Sequence, residues 1–291
     1  MKKLLAGLLA LSLFSVGGLQ ANAQEEETVR VGIVNENSQD YWEGVAEKAA
    51  EEGINIELVL FADYVQPNEA LANDSIEMNA TQGYPFFLVW NEDNDADLVS
   101  IGNSIIAPLG LFSERHETLE DLPDGAVIAI PNDPSTYGRA FQALEQAGLI
   151  DVDESAGIYP EESDILDNPK GLEFEYLDPA TAAVVLPDVD AAFINSGFAV
   201  DAGLTTDDAI FVDAEDLENF NPIYTNLIAT REANKDNPTF LRIVELFQTE
   251  ENAAVIDEIT QGGEIPVWDD YTVEEIYEIA AELEILNGEG E

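Results

Sequence analysis

The chain has 291 residues, 61 acidic against 10 basic, for a formal net charge of −51, yet 46% of it is hydrophobic, so it folds around a core instead of staying disordered. That charge excludes nucleic acid, whose binding needs Lys and Arg on phosphates, and docking onto an anionic membrane surface. No cysteine and a single histidine, His116, exclude disulfides, thiolate catalysis and multi-histidine metal sites, and neither cofactor nor metal is expected.

Met1-Lys2-Lys3 precedes an apolar run from Leu4 to about Val16, which ends in Ala21-Asn22-Ala23. This pattern predicts a signal peptide over 1–23 and is too short and wrongly flanked for a membrane-spanning helix. Cleavage near Ala23 is expected. It leaves an exported protein, periplasmic or extracellular, that is soluble and, lacking a cysteine after the apolar run, not lipidated.

Val29 to Val34 predicts a strand. Ser38 opens a helix with apolar positions Trp42, Val45, Ala49 and Ala50, closed by Gly53, and Ile54 to Phe61 is a second strand. Strand–helix–strand at this spacing is a βαβ unit and implies parallel pairing. A short helix follows over Pro67 to Leu71. Leu98 to Ile101, Ile105 to Phe112 and Val127 to Pro131 are strands. A helix runs from about Ser135 to Ala147, closed by Gly148. Leu172 to Leu177 is a strand, Thr181 to Leu186 a helix rich in Ala and Val, and Ala191 to Asn195 and Leu227 to Thr230 are buried strands. Helices over Thr239 to Phe247 and Glu251 to Thr260 end at Gly262-Gly263. Ligands in open α/β sheets bind beyond the carboxyl ends of strands, so the residues there are the candidates.

At Pro131-Asn132-Asp133-Pro134-Ser135-Thr136-Tyr137-Gly138-Arg139 a strand gives way to a helix whose first N–H groups attract anions. Arg139, one turn in, has the geometry to fork a carboxylate; the alternative is a surface ion pair. Asn195 ends one buried strand and Asn226 precedes another. Buried amides need partners, which are either an amino-acid ligand or nearby backbone. Phe86 and Phe87 read as core, and His116, in a polar stretch, as surface. No calcium-loop, zinc-protease, nucleophile-elbow or phosphate-loop motif is present.

Taken together, Phe61-x-Asp63-Tyr64-x-x-Pro67-Asn68-x-Ala70-Leu71, Pro131-Asn132-Asp133-Pro134 with Gly138-Arg139, Ile194-Asn195, and Tyr224-x-Asn226-Leu227-Ile228-x-Thr230-Arg231-Glu232 resemble the methionine-binding (NlpA/MetQ-like) family of ABC-importer substrate-binding proteins. The likeness runs from about Val29 to Trp268. It implies an α/β, two-lobed periplasmic-binding-protein fold of type II-like form, with mixed, mainly parallel sheets and a cleft between the lobes. The N-terminal lobe is expected over 24–110 plus 228–268 and the C-terminal lobe over 111–227. The resemblance places Arg139 on a ligand carboxylate, Asn195 and Asn226 on the amino-acid head group, and Tyr64 and Tyr224 along the cleft. Asn79, Thr81, Gly83, Tyr84 and Thr136 complete the candidate ligand-binding set.

The chain departs from the family where Thr81-Gln82-Gly83 replaces Phe-Gln-His, where Thr136 replaces an Asn, and over Ala180-Thr181-Ala182-Ala183-Val184. Losing an apolar wall costs about 1–3 kcal/mol of discrimination, so the head-group anchors remain while the side-chain pocket changes. Tyr84 or Trp90 are candidates to refill it. Beyond the likeness, Thr272-Val273-Glu274-Glu275 is a capping box. Val273, Ile276, Ile279, Ala280 and Leu283 fall on one face, predicting an extra amphipathic helix within 269–291 packed on the N-terminal lobe.

The expected function is capture of an amino acid, methionine or a relative or short peptide, for delivery to the membrane permease of an ABC importer, by a monomer and without catalysis. The rivals are a sensing receptor for another small ligand and an exported hydrolase using cleft carboxylates. The acid excess reads as adaptation to high salt, where screening shortens repulsion.

Overall fold

The structure, a computed structural model, describes residues 28–214, 220–283 and 285. The predicted signal peptide lies outside the described residues. In chain order the elements are β1 (Thr28–Val34), α1 (Glu36–Glu51), β2 (Asn55–Phe61), α2 (Gln66–Ala72), β3 (Met78–Gly83), α3 (Tyr84–Asp93), β4 (Leu98–Ile106), β5 (Leu109–Phe112), β6 (Val127–Pro131) and α4 (Pro134–Gln146). Then come β7 (Asp151–Val152), β8 (Ile165–Asp167), β9 (Glu173–Leu177), α5 (Ala182–Val185), β10 (Ala191–Asn195), α6 (Ser196–Asp201), β11 (Ala209–Val212), β12 (Thr225–Arg231), α7 (Pro238–Phe247), α8 (Glu250–Thr260), β13 (Ile265–Pro266) and α9 (Val273–Glu282).

The strands form two mixed sheets, the framework of a two-lobed molecule. The first has the order β13-β4-β12-β3-β1-β2 and the second β11-β5-β10-β6-β9; β7 and β8 make a separate ribbon. β1 pairs in parallel with β2 and β3, and β6 with β9 and β10, while β4, β12 and β13 pair antiparallel. The predicted strand over 105–112 is divided at Ala107-Pro108, because proline has no N–H to give a ladder. That break is where the chain leaves the first sheet for the second.

Both sheets are covered on both faces, and β6 and β10, inside the second sheet, are accordingly nearly continuous apolar runs. Alternate residues of β1, Val29, Val31 and Ile33, join Trp42 and Val45 of α1 and Phe240 and Phe247 of α7 in one core. In β10, Ala191 and Phe193 face Phe141 and Leu144 of α4, while Ala192 and Ile194 face Ala182 and Leu186 on the other side. α9 lays Ile276 and Ala280 into the core that holds Leu71, Tyr84, Leu98 and Leu227. Its N-terminus is a full capping box, with Thr272 accepting from Glu275 N–H and Glu275 accepting from Thr272 N–H.

The segment 79–87, read in sequence only as amides mixed with aromatics, is β3 running directly into α3. β3 has little strand propensity. A buried amide cluster holds it instead: Asn79 Nδ2 donates to Asn68 Oδ1 at 2.8 Å, and Asn68 Nδ2 to Gln82 Oε1 at 2.6 Å. His116 is not an open surface residue. Its Nε2 lies 3.0 Å from Asp190 Oδ1, and the ring is mostly covered.

Candidate functional site

A cavity of ≈ 410 Å³ lies between the two sheets, within the range of small-molecule sites. Its walls are the ends of β3, β4, β6 and β10, the starts of α1, α4 and α6, and the crossing segments at Ala107-Pro108 and Tyr224–Asn226. Eight of the sequence-predicted residues line it: Tyr64, Thr81, Gly83, Thr136, Arg139, Asn195, Tyr224 and Asn226.

Local sequence explains how Arg139 arrives there. Asp133 caps α4 by accepting from Thr136 N–H at 2.9 Å, and Pro134 occupies the first turn, where a missing N–H is harmless. Gly138 lets the helix touch the backbone behind it. A Cβ there would sit 2.9 Å from Ile158 O and Tyr159 Cα. Arg139 does not present its fork to the cavity, however. Nε and Nη2 pair with Asp213 Oδ2 and Oδ1 at 2.5 and 3.1 Å, and Nη2 also donates to Ala107 O at 3.0 Å. Its guanidinium carbon lies 4.8 Å from the Tyr224 ring centre and 5.3 Å from that of Phe220. Nη1 keeps its donors without a protein acceptor among the described residues.

The two strand-end amides are both unspent. Asn195 Oδ1 is buried without a partner, and the Asn226 side chain makes no hydrogen bond among the described residues. Gly83 lies against Asn226: a Cβ on Gly83 would be 3.1 Å from Asn226 Oδ1. Tyr64 packs edge-on against Phe198 at 5.2 Å, and Tyr224 donates its hydroxyl to Gln142 Oε1 at 2.6 Å; burial raises the pKa of both phenols.

Two predicted residues stand apart from the cavity. Asn79 is fully buried and spent on Asn68 and on Thr81, whose hydroxyl donates to its Oδ1 at 2.8 Å. Tyr84 is fully buried, with its hydroxyl 2.9 Å from Ser100 Oγ and 2.7 Å from Asn103 Oδ1. Tyr84 and Trp90 therefore belong to the core and do not refill the side-chain wall. Phe86, expected in the core, lines the cavity, and Phe87 is the buried member of that pair.

Sequence reading missed Asn35, Tyr41, Trp42, Phe198, Phe247 and Glu264, all in the lining, and Asp213 behind Arg139. Asn35 carried one usable sign, as an asparagine immediately after a buried strand. It adopts φ 76°, a left-handed region that asparagine tolerates better than most residues. Gly197 of α6 comes so close that a Cβ there would be 2.4 Å from Asn35 Oδ1. At the same contact Asp201 of α6 accepts from Glu36 and Asn37 N–H at 3.1 and 3.3 Å, so one lobe caps the first helix of the other. Ser196 Oγ donates to Gly263 O beside it.

Burial pushes the Glu264 carboxyl up to about 7, with Asp201 adding to the rise and Tyr41 and Asn37 opposing it. Asn37 Nδ2 donates to Glu264 Oε1 at 3.2 Å, and Glu264 Oε2 has no partner.

The sequence model of one family, described as NlpA lipoprotein, matches residues 29–268. The D-methionine-binding lipoprotein MetQ of Salmonella typhimurium is 35% identical over 269 residues, covering 91% of this chain and 95% of that protein. Among solved structures, a nutrient binding protein from Burkholderia cenocepacia bound to methionine matches with a TM-score of 0.76 at 36% identity, over 82% of this chain and 99% of the other. An ABC transporter periplasmic substrate-binding protein from Coxiella burnetii matches with a TM-score of 0.77 at 34% identity, over 82% and 99%.

These names correct one expectation. A soluble exported protein without lipid is expected from sequence, whereas the family and the Salmonella relative are named lipoproteins. The chain contains no cysteine, and no helix among the described residues is long and apolar enough to cross a membrane.

Proposed function

Because the chain belongs to the NlpA lipoprotein family, we propose that it captures an amino acid, methionine or a relative or short peptide, and delivers it to the permease of an ABC importer. The observation that carries this reading is the cavity between the sheets, where strand-end amides and a helix-start arginine converge in the arrangement expected for a zwitterion. Asn195 and Asn226 hold the head group. Arg139 contributes Nη1, in one arm instead of a fork. Tyr64, Tyr224, Thr81, Gly83 and Thr136 line the remaining wall. The lobes divide where the chain crosses between the sheets, at Ala107-Pro108 and just before Thr225, a few residues from the bounds of 110 and 228 expected from sequence, and they close on the ligand; closure presents the permease with a distinct surface. The working form is a monomer that binds without catalysis.

The test is to purify the protein, identify co-purified ligand by mass spectrometry, and titrate that ligand in a calorimeter. A ligand with α-amino and α-carboxylate groups and micromolar or tighter affinity is expected. A ligand lacking both groups overturns the reading.

A further inference from the structure

The cavity's charge does not match a ligand held mainly by its carboxylate. Its charged lining residues are Asp63, Asp133, Asp178, Glu264 and Arg139. The one cation is already neutralised by Asp213, which is buried behind it. Three of the four carboxylates are committed to local backbone. Asp63 accepts from Val65 and Gln66 N–H, Asp133 from Thr136 N–H and Asp178 from Ala180 N–H.

Glu264 differs from these three. It is 4% exposed and Asn37 satisfies one oxygen; the nearby Tyr41 hydroxyl donates to Ser38 Oγ at 3.1 Å, which leaves the other oxygen without a partner. The other buried side-chain atoms without partners in this lining are Asn195 Oδ1, also an acceptor, and Asn35 Nδ2; Asn37 Oδ1, a third acceptor, lies beside Glu264. Four residues thus leave three acceptors and one donor unmet. A buried carboxylate left this way is costly unless a donor or cation completes it. A primary ammonium, with three donors and a positive charge, is the group that fits.

We propose that Glu264 is a ligand-binding residue of this chain that pairs with a primary ammonium group of the ligand, with Asn195 accepting beside it. The inference rests on the amino-acid reading for the source of that ammonium, the α-amine; an amine elsewhere on a ligand has the same chemistry. The pairing depends on pH. The groups facing Glu264 are Tyr41 of α1, Asp201 of α6 and Tyr64 after β2, with Asp133 near Tyr64. The carboxyl titrates at about 7, so below that pH a proton competes with the ammonium, and affinity falls by up to about tenfold per pH unit.

The test compares the full chain with its Glu264→Gln variant by calorimetry, using L-methionine and cadaverine, an amine without a carboxylate, at pH 8 and pH 5.5. The isosteric variant should weaken L-methionine at least tenfold at pH 8 and much less at pH 5.5. Equal affinity at pH 8, or a loss that is the same at both pH values, overturns the proposal. If L-methionine fails to bind the wild type, cadaverine decides. Binding of cadaverine that the variant loses supports Glu264 while the amino-acid reading falls, and binding of neither probe overturns the role of Glu264.

Discussion

Arg139 shows how a residue can be found in the sequence while its bonding is not. A helix-start arginine after a buried strand announces an anion partner, and the structure supplies one from within the chain. Asp213, 6% exposed at its side chain, takes two of the guanidinium's donors and also accepts from Leu109 N–H at 2.8 Å. The pair thereby ties α4 to the segment where the chain crosses between sheets. Removing one partner leaves a buried charge uncompensated, which typically costs about 3–5 kcal/mol, whereas replacing both by apolar groups is often close to neutral. Arg139→Ala is therefore expected to lower stability to urea by about 3 kcal/mol, and Arg139→Leu with Asp213→Asn, which removes both charges and keeps an acceptor for Leu109 N–H, to recover most of it. The double variant isolates the binding role. It should fold and yet bind L-methionine at least tenfold more weakly, and unchanged affinity would mean Nη1 holds no carboxylate. No sequence signal marks Asp213 or Glu264 among 61 acids; what distinguishes them is burial, which only the fold creates.

At the scale of elements, what was legible follows from periodicity and punctuation. β6 and β10 were readable to the residue because they are apolar runs bounded by turn residues. α1, α4 and α8 were readable from their apolar phase and from Gly53, Gly148 and Gly262, each at positive φ just beyond a helix end. β3 was not readable: Asn79 and Gln82 carry no strand signal, and their side chains are held by Asn68, 11 and 14 positions earlier. The contact between α6 and α1 was equally hidden, since it joins residues more than 160 positions apart. That contact makes its own prediction. A carboxylate at a helix start contributes about 0.5–1 kcal/mol, and here it acts only while the lobes touch. Asp201→Ala should weaken ligand binding about threefold while leaving the melting temperature of the ligand-free protein nearly unchanged. Scattering should show a more extended average form. A fall in melting temperature as large as the loss in binding would make Asp201 a fold determinant and not a closure contact.

For the whole molecule, the net charge of −51 finds almost no relief within the structure. Each Lys and Arg among the described residues already holds a carboxylate or a carbonyl: Arg30 holds Glu77, Lys48 Glu251, Arg242 Glu52 and Glu245, and Lys170 three backbone oxygens. Exposed pairs of this kind contribute roughly 0–1 kcal/mol each, too little to offset dozens of unpaired acids. The acids are arrayed on the outer faces of packed elements, as with Glu47 and Glu51 on α1 and Asp257 and Glu258 on the neighbouring α8. Repulsion among them opposes the compact state, and added salt shortens its reach from about 10 Å at 0.1 M to about 3 Å at 1 M. Adaptation to salt, proposed from composition, therefore predicts a melting temperature that rises between 0.1 and 2 M NaCl by at least ~5 °C, the shift that about 2 kcal/mol gives a protein of this size. Salt also strengthens apolar burial, so the charge contribution has to be isolated. Replacing Glu47, Glu51, Asp257 and Glu258 with their amides should raise the melting temperature at 0.1 M and flatten its rise with salt. A slope unchanged by the amides would assign the effect to burial, and a flat melting temperature in the wild type would end the salt argument altogether.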